Sequence, residues 1–194
     1  MKKDRAVTER RILDAVGRIV ETNGFEAVGP NTVAAESGVS KVLIYRYFGT
    51  VEQLLAKYIE DNDFWLNFDF SQLPHNDART FSKEIFKAYI ELLRKSPALR
   101  KLYRWDLSTN NPQIDALRQR REELAMQIID YVCQITGQNR DRVAGISTLL
   151  TASVSYVCIL AENCDVYNSL QINDDAGWQK ISDTIDFLFD KILD

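Results

Sequence analysis

The chain has 194 residues, and its hydrophobic fraction of 45% is enough to build a sizeable buried core. This composition excludes global disorder, and the charged N-terminal run lacks the apolar core of a secretory signal peptide. The net charge is -4, but residues 1–50 carry eight Lys or Arg against six Asp or Glu, while residues 51–194 carry 16 against 22. A mildly basic N-terminal segment followed by an acidic remainder is compatible with a nucleic-acid partner, because only the contacting face must be positive.

Cysteine and histidine are too few to suggest redox, metal or catalytic chemistry. Cys133, Cys158 and Cys164 have no CxxC spacing, and His75 is the single histidine. The simplest interpretation is three reduced, buried thiols and a surface histidine without a role. The sequence has neither a Ser/His/Asp set nor a glycine-rich phosphate loop. We therefore expect no catalytic residue, no metal, no cofactor and no enzymatic activity.

Membrane segments are also not expected. No apolar run approaches the roughly 20 residues that span a bilayer. The apolar stretch from Leu149 to Ala161 is rich in small and hydroxyl residues, and we interpret it as a covered helix of a globular domain. These features predict a cytoplasmic protein without a membrane partner.

The first predicted helix spans about Thr8 to Asn23. Its apolar residues recur at helical spacing from Ile12 to Val20, and charged residues occupy the positions between them. Asn23 and Gly24 together supply a left-handed stop. The pattern predicts an amphipathic helix.

Two short helices joined by a tight turn follow. The first is predicted to begin at Pro30, where a missing N–H costs nothing, and to end at Gly38. Ser40 then caps a second helix with the sequence KVLIYRYF. Because so short a turn does not let two helices lie antiparallel, they must cross steeply, which is the helix-turn-helix arrangement.

The second of these helices has an apolar face and a polar face. Val39, Ile44 and Phe48 are predicted to pack inward, which leaves basic and phenolic side chains to project. Such side chains reach phosphates and base edges, and a helix N-terminus offers N–H groups to phosphate. The candidate DNA contacts are Ser40, Lys41, Val42, Leu43, Tyr45, Arg46 and Tyr47. A solvated basic face without a partner is the alternative interpretation.

This N-terminal run resembles the DNA-binding domain of TetR-family transcriptional regulators. The resemblance covers about residues 8–58 and is carried, in order and at fixed spacings, by Gly24-Phe25, Val33-Ala34, Gly38-Val39-Ser40 and Tyr45-Arg46-Tyr47-Phe48. It implies a homodimer, a double-stranded DNA operator, a small-molecule effector and a linker helix that transmits the state of the effector site.

Three positions depart from the family pattern. Val42 stands where the family usually has a small residue, Arg46 where it often has His, and Val51 where a lysine resembles a phosphate anchor. Val42 and Leu43 suggest apolar contact with thymine methyl groups. The missing lysine removes one backbone contact, which Lys41 or Arg46 can replace.

The chain then divides at a predicted linker. Thr50 and Gln53 form a capping box that opens a fourth helix. By the resemblance, this helix is a linker over residues 51–70. The predicted domains are a helix-turn-helix DNA-binding domain at residues 1–50 and a larger helical ligand-binding and dimerisation domain at residues 51–194.

Five further helical patterns follow a break that contains Pro74 and His75. They cover residues 78–95, 97–107, 112–135, 140–163 and 175–193. With the first four helices, they predict an all-α fold of about nine helices, three of which form the helix-turn-helix domain. No credible pair of strands is present in the sequence pattern.

The last two patterns carry the clearest signal of self-association. Apolar residues of the final helix repeat at spacings of 3, 4, 3 and 4, which is typical of a coiled-coil seam. The preceding helix is apolar on more than one side. Two such helices from each of two subunits would form a four-helix bundle, whereas the alternative places both in the core of one chain. The candidate dimer residues are Leu150, Val154, Val157, Trp178, Ile181, Ile185, Leu188 and Ile192.

Aromatic residues between the linker and the last helices are candidates for an effector pocket. Their rings offer apolar surface, and their hydroxyl and indole groups can orient a ligand. The same residues suit a hydrophobic core equally well. The candidate pocket residues are Trp65, Phe68, Tyr89, Tyr103, Trp105, Tyr131 and Tyr156.

The function predicted from these features is a ligand-responsive transcriptional regulator. The expected mode is a repressor that a small molecule releases from a palindromic operator, although the sequence does not separate a repressor from an activator. The alternative is a helical protein-interaction bundle without specific DNA binding, which would show no salt-dependent DNA affinity.

Overall fold

The computed structural model describes residues 2–69, 71, 77–108 and 112–193. Within these ranges the chain forms ten α-helices, one 3₁₀ turn and one β-hairpin, and the predicted all-α fold class is confirmed. The helices are α1 Lys2–Asn23, α2 Pro30–Ser37, α3 Lys41–Phe48, α4 Val51–Asn62, α5 Phe64–Asn67, α6 Ala78–Lys95, α7 Pro97–Ser108, α8 Pro112–Thr136, α9 Arg140–Leu160 and α10 Asp175–Ile192. The 3₁₀ turn is Phe25–Ala27, and the strands are β1 Val166–Tyr167 and β2 Leu170–Gln171. His75 lies outside the described residues.

The chain forms two compact units. The N-terminal unit comprises Met1–Asn67 and Pro97–Arg120, and the C-terminal unit comprises Phe68–Ser96 and Arg121–Asp194. Helix α7 and the first part of α8 therefore belong to the same unit as the helix-turn-helix. The predicted boundary at residue 50 separates a DNA-binding domain from a ligand-binding domain rather than two compact units. It stays a prediction.

The inner face of α1 forms the centre of the N-terminal unit. Helix α1 packs against α2, α4 and α7, and its residues Ile12, Val16 and Val20 are fully buried. Val33 of α2 and Leu54 of α4 are also fully buried. Each branched side chain contributes roughly 1.5–3 kcal/mol on full burial. This apolar cluster is therefore the main source of stability for the short helices that pack on α1.

Helix α1 begins earlier than the sequence pattern suggested. Its first residue is Lys2, whereas the apolar repeat predicted a start near Thr8. Arg5 Nε lies 2.7 Å from Glu9 Oε1, four residues further along the helix. Such i, i+4 pairs support helical turns that carry no apolar residue, which explains the extension.

The predicted continuous linker over residues 51–70 is wrong, because α4 ends at Asn62. Asp63 is buried and extended, and its carboxylate accepts a hydrogen bond from the Leu66 N–H at 3.2 Å. The Asn67 side-chain amide donates to the backbone carbonyls of Glu60 and Asp63 at 2.7 and 2.8 Å. These bonds satisfy the backbone at the break, which the apolar pattern could not reveal.

In the C-terminal unit, α6 packs against α9 and α10. The rings of Phe86 and Phe189 lie 5.5 Å apart at 47°, which joins α6 to α10. Tyr89 is fully buried, and its hydroxyl forms a hydrogen bond of 2.6 Å with Ser155 Oγ of α9. A buried tyrosine hydroxyl needs such a partner, so this bond fixes α9 against α6.

Strands β1 and β2 form an antiparallel hairpin between α9 and α10, so the prediction of no strand pair is wrong. Its turn residues Asn168 and Ser169 have φ values of 47° and 67°. Positive φ at both central residues is the geometry that suits tight hairpins. The Trp178 indole N–H donates to the Ile172 carbonyl at 2.7 Å and attaches the hairpin to α10. Two-residue strands are too short to show an alternating pattern.

Helix α9 is more apolar and more exposed than the sequence interpretation allowed. By length and composition it could cross a membrane, with a mean hydropathy of 1.9 over 18 residues of which 17% are buried. The expectation that no apolar run approaches the length of a membrane span was therefore wrong. The C-terminal unit thus leaves one stripe of α9 uncovered, and this stripe carries Leu149 and Tyr156 among small residues.

The start of α10 depends on a glycine. A Cβ at Gly177 would lie 1.5 Å from the Gln171 carbonyl oxygen, so the backbone of the hairpin occupies that space. Although alanine normally stabilises a helix by roughly 0.5–1 kcal/mol over glycine, we expect Gly177→Ala to lower the free energy of unfolding by about 1–3 kcal/mol through overpacking. Urea denaturation measures this change.

Gly17 in α1 provides the control for this substitution. Its added Cβ would meet the Tyr58 ring at 3.5 Å, an ordinary contact distance. Gly17→Ala should therefore raise the free energy of unfolding by roughly 0.5–1 kcal/mol. Equal gains in stability for both variants would contradict the close approach at Gly177.

Candidate nucleic-acid interface

Helix α3 is held in place by its inner face. Val39 and Ile44 are buried, as predicted, while Phe48 is half-buried. Helix α3 packs against α2 and α4. Because a helix of eight residues is too short to be stable in water by itself, this packing determines its position.

The turn between α2 and α3 is closed by local hydrogen bonds. Gly38 adopts φ 63°, the left-handed conformation that ends α2. The Ser37 hydroxyl accepts from the Val39 N–H at 3.2 Å, and the Ser40 hydroxyl accepts from the Leu43 N–H at 3.4 Å. Ser40 thus caps α3 as predicted, and its hydroxyl oxygen is engaged in that role.

Four side chains project from α3 into solvent, and we call Lys41, Val42, Tyr45 and Arg46 the outward face of α3. Val42 is 79% exposed and Tyr45 44% exposed. Leu43, another candidate DNA contact, is half-buried. The outward face combines two cations, one phenol and one branched apolar side chain, which can contact phosphates, base edges and thymine methyl groups.

Tyr47 lies under a cation from the start of α1. The Arg5 guanidinium is 5.2 Å from the centre of the Tyr47 ring, and Glu9 raises the pKa of Arg5 through a side-chain hydrogen bond. Arg5 therefore lies next to α3 as part of an ion pair with Glu9, a placement that the sequence interpretation missed. The available signal was the basic start Lys2 to Arg5, whose proximity to α3 depends on how α1 packs.

The start of α4 carries no positive charge. The predicted capping box is confirmed, with Thr50 N–H to Gln53 Oε1 at 3.0 Å and Gln53 N–H to Thr50 Oγ1 at 3.1 Å. The pKa of the Glu52 carboxyl is lowered by hydrogen bonds from its own backbone N–H and from Thr50, which keeps it ionised at neutral pH. With Val51 at this position, the start of α4 offers no cation to a phosphate, whereas the outward face of α3 offers Lys41 and Arg46.

Three of the candidate pocket residues belong to the N-terminal unit. Trp65 is half-buried, and its ring meets Phe64 edge-on at 4.9 Å. Tyr103 and Trp105 of α7 are buried. The Trp105 ring stacks on Phe25, with centroids 4.8 Å apart and planes at 5°. One face of Trp105 is thus occupied by the 3₁₀ turn that leads into the helix-turn-helix.

The other four candidate pocket residues lie in the C-terminal unit. Tyr89 is fully buried, Phe68 and Tyr131 are half-buried, and the Tyr131 ring lies 4.9 Å from that of Phe81. Tyr156 is 54% exposed, and its ring contacts a tyrosine of the hairpin. Tyr156 is therefore a surface residue of α9, whereas the others contribute to packing inside the unit.

The candidate dimer residues are covered to a large extent within one chain. Val154, Trp178 and Ile185 are buried there, and their burial needs no second subunit. The remaining candidates are half-buried: Leu150, Val157, Ile181, Leu188 and Ile192. The seam of α10 lies on the helix that packs against α6, while Phe187, which lies off the seam, is 58% exposed.

A groove of about 400 Å³ between α6 and α10 is balanced in charge. It is lined in part by Lys87, Arg94 and Lys95. Arg94 lies 2.5 Å from the Asp175 carboxylate and over the Trp178 ring, and both lysines also pair with carboxylates. This groove does not favour an anion, and the described residues hold no cluster of three or more metal-ligating side chains.

Comparisons with known proteins agree with this geometry. The family model of the bacterial regulatory proteins of the TetR family matches residues 12–58, which contain the complete helix-turn-helix. No curated protein matches the chain.

Three solved structures share the fold over nearly their whole length. A Clostridium perfringens protein described as a candidate regulator of fatty acid metabolism has 19% identity and a TM-score of 0.70, covering 90% of this chain and 96% of its own. A TetR transcriptional regulator from Legionella pneumophila has 17% identity and a TM-score of 0.69, with 92% and 95% covered. FadR from Bacillus subtilis in complex with stearoyl-CoA has 15% identity and a TM-score of 0.62, with 93% and 96% covered.

The fold and the outward face of α3 define a helix-turn-helix DNA-binding transcriptional regulator with an all-α body. The family match shows a DNA-binding domain of the TetR type at residues 12–58, and the rest of the chain shares the all-α fold of the solved regulators. Regulators with this domain are DNA-binding transcription factors and not enzymes, which agrees with the expectation of no enzymatic activity.

Val42 leads to a prediction about base recognition. If its exposed side chain meets thymine methyl groups, replacing dT by dU in the bound duplex should weaken binding by about three- to fourfold per contacted methyl, since one methyl group contributes about 0.8 kcal/mol. Fluorescence anisotropy with matched dT and dU duplexes measures this ratio.

Val42→Ala is the matched variant because it shortens the side chain without changing charge. Its affinity should be lower on dT duplexes and insensitive to dU replacement. An equal response of both proteins to dU would show that another residue, or none, contacts the methyl groups.

Proposed function

We propose that the chain is a homodimeric repressor that leaves a palindromic operator when a small molecule binds its body. The observation that carries this proposal is the outward face of α3, where Lys41, Val42, Tyr45 and Arg46 project from a helix anchored by buried Ile44. A solvated basic face needs no exposed branched apolar residue, whereas a helix that reads the major groove uses one. We further propose that the remaining candidate DNA contacts, Ser40, Leu43 and Tyr47, hold α3 in register.

A single helix-turn-helix reads too few base pairs to be selective, so selectivity requires two copies. A two-fold dimer reads two half-sites about one helical turn apart or a multiple of it. The operator would then be palindromic, and the distance between the two α3 helices would decide whether both half-sites are engaged.

We propose that the dimer forms through the uncovered surface of α9. Six exposed residues of α9 follow one helical stripe: Gly145, Thr148, Leu149, Ala152, Ser153 and Tyr156. Small residues let two helices approach closely, while Leu149 and Tyr156 supply apolar contact. A second copy would cover the apolar surface that otherwise resembles a membrane segment, and the protein would remain in the cytoplasm.

The proposed effector is an acyl-CoA or a related long-chain compound. FadR, which shares the fold, was solved with stearoyl-CoA. The C-terminal unit contains many buried apolar side chains that an acyl chain could replace as packing partners, and the hydrogen-bonded pair of Tyr89 and Ser155 is a polar group among them. The effector must favour the released state over the DNA-bound state by a coupling of about 1–3 kcal/mol or more.

The DNA-binding proposal is tested with a salt series. The wild-type protein should shift a duplex from the region upstream of its own gene, with an affinity that falls steeply as salt rises. The triple variant Lys41→Ala, Tyr45→Ala, Arg46→Ala should bind at least tenfold more weakly, and its salt slope should be smaller by roughly one for each phosphate that it no longer binds. Thermal unfolding of the variant checks that it remains folded, since all three side chains are exposed.

The same assay separates the proposed function from its alternatives. Wild-type protein that does not bind at low salt, or binding that the triple variant retains, would favour a protein-interaction bundle. Stearoyl-CoA added to the preformed complex should release the duplex, whereas free coenzyme A should not. Tighter binding in the presence of stearoyl-CoA would instead indicate a co-repressor.

The dimer surface leads to a separate prediction. Leu149→Glu should weaken self-association by roughly a hundredfold or more, because burying an unpaired carboxylate costs several kcal/mol. Analytical ultracentrifugation over a concentration series measures the monomer–dimer equilibrium. The control is Leu107→Glu, since Leu107 of α7 is also a highly exposed leucine, at 83% against 73% for Leu149. A Leu149→Glu protein that stays dimeric would place the interface elsewhere.

A further inference from the structure

Helix α7 is joined to the helix-turn-helix by a buried aromatic stack. Phe25 is 3% exposed and Trp105 is 9% exposed, and their rings lie 4.8 Å apart with planes at 5°. Such stacked pairs contribute about 0.5–1.5 kcal/mol beyond the area that they bury. Sequence patterns suggested Trp105 as a pocket residue, but one face of its indole is committed to Phe25.

Because of the position of Phe25, this stack can affect how α2 and α3 are oriented. Phe25 opens the 3₁₀ turn that connects α1 to α2. Its ring also contacts the Tyr58 ring of α4, with centroids 6.3 Å apart at 56°. Burial raises the pKa of Tyr58 to about 12, which reflects how fully this neighbouring ring is enclosed. Phe25 thus lies between α4 and α7, and a shift of the Trp105 ring would act on the segment that leads into α2.

Two polar contacts support the same attachment. Lys101 Nζ of α7 donates to the Glu21 carbonyl oxygen at 2.5 Å, near the end of α1 where the helix dipole favours a cation. Arg120 Nη1 of α8 lies 2.9 Å from Glu60 Oε1 of α4. Both pairs are largely exposed and contribute little individually. Of these three contacts, the Phe25–Trp105 stack is the one that is buried.

We propose that Trp105 is a positioning residue for operator recognition, acting through Phe25. This inference rests on the proposed function, because positioning matters where two α3 helices must meet two half-sites at once. The N-terminal unit already includes α7 and the first part of α8. Helix α7 is therefore part of the DNA-binding body, and the Phe25–Trp105 stack keeps the helix-turn-helix in a defined orientation on it.

Removal of the stack should affect specific and non-specific DNA binding differently. Non-specific binding depends on the positive charges of the outward face of α3 and accepts any register. Specific binding requires both α3 helices in register with their base pairs. A helix-turn-helix that is less firmly oriented therefore loses affinity for the operator and keeps its affinity for unrelated DNA. A variant that is only less folded loses affinity for both duplexes in parallel.

The experiment compares Trp105→Leu, Trp105→Phe and Phe25→Leu in the full-length protein. Each variant is titrated against a duplex selected by the wild-type protein from a random pool and against an unrelated duplex of equal length. Trp105→Leu should lower the ratio of operator to unrelated affinity by roughly three- to tenfold, and Trp105→Phe should largely restore it. Phe25→Leu should give a similar reduction, and the double variant should bind only slightly more weakly still, because both substitutions break the same ring stack.

Phe64→Leu is the matched control for Phe25→Leu. It makes the same change at a ring that is equally buried in the same unit, but the Phe64 ring contacts Trp65 of α5. Its affinity ratio should equal that of the wild-type protein. Parallel reductions on both duplexes, or an unchanged ratio in Trp105→Leu, would overturn the inference. Wild-type protein that shows no preference for any selected duplex would contradict the proposed function itself.

Discussion

The structure depends on the burial of one face of α3. Eight residues cannot form a stable helix in water, so α3 persists because Ile44 and Val39 are withdrawn into the core that α1, α2 and α4 share. The same packing turns Lys41, Val42 and Arg46 toward solvent, because residues on opposite sides of a helix cannot both face the core. The chemistry available for DNA is thus a consequence of what the core must bury.

That core also includes a helix that follows much later in the sequence than the helix-turn-helix. Helix α7 begins at Pro97, well beyond the end of α4 at Asn62, yet it packs on α1 and places Trp105 against Phe25. A DNA-binding module attached in this way has its orientation determined by a distant segment. This arrangement gives a physical basis for regulation, because a change that alters α7 acts directly on the body that carries α3.

Helix α9 presents the opposite situation, an apolar surface without a cover. Its inner residues Val154 and Cys158 are buried, while Leu149 and Tyr156 remain exposed along one stripe. An exposed stripe of this kind is the surface on which the proposed dimer rests. The heptad repeat of α10 suggested that its seam was the partner surface, but Ile185 on that seam is buried within the chain. Periodicity identifies a buried face and does not say which molecule buries it.

The sequence by itself determined the helical content, the helix-turn-helix and the cap residues, because propensity, capping and apolar spacing act within a few residues of each other. Inward packing of Ile44 and the capping box at Thr50 followed from such local rules. Only the tertiary structure decided which aromatic residues meet, that the linker breaks at Asp63, and that Arg5 lies over Tyr47. These features depend on contacts between segments far apart in the chain, and an aromatic side chain suits a pocket, a core or an interface equally well.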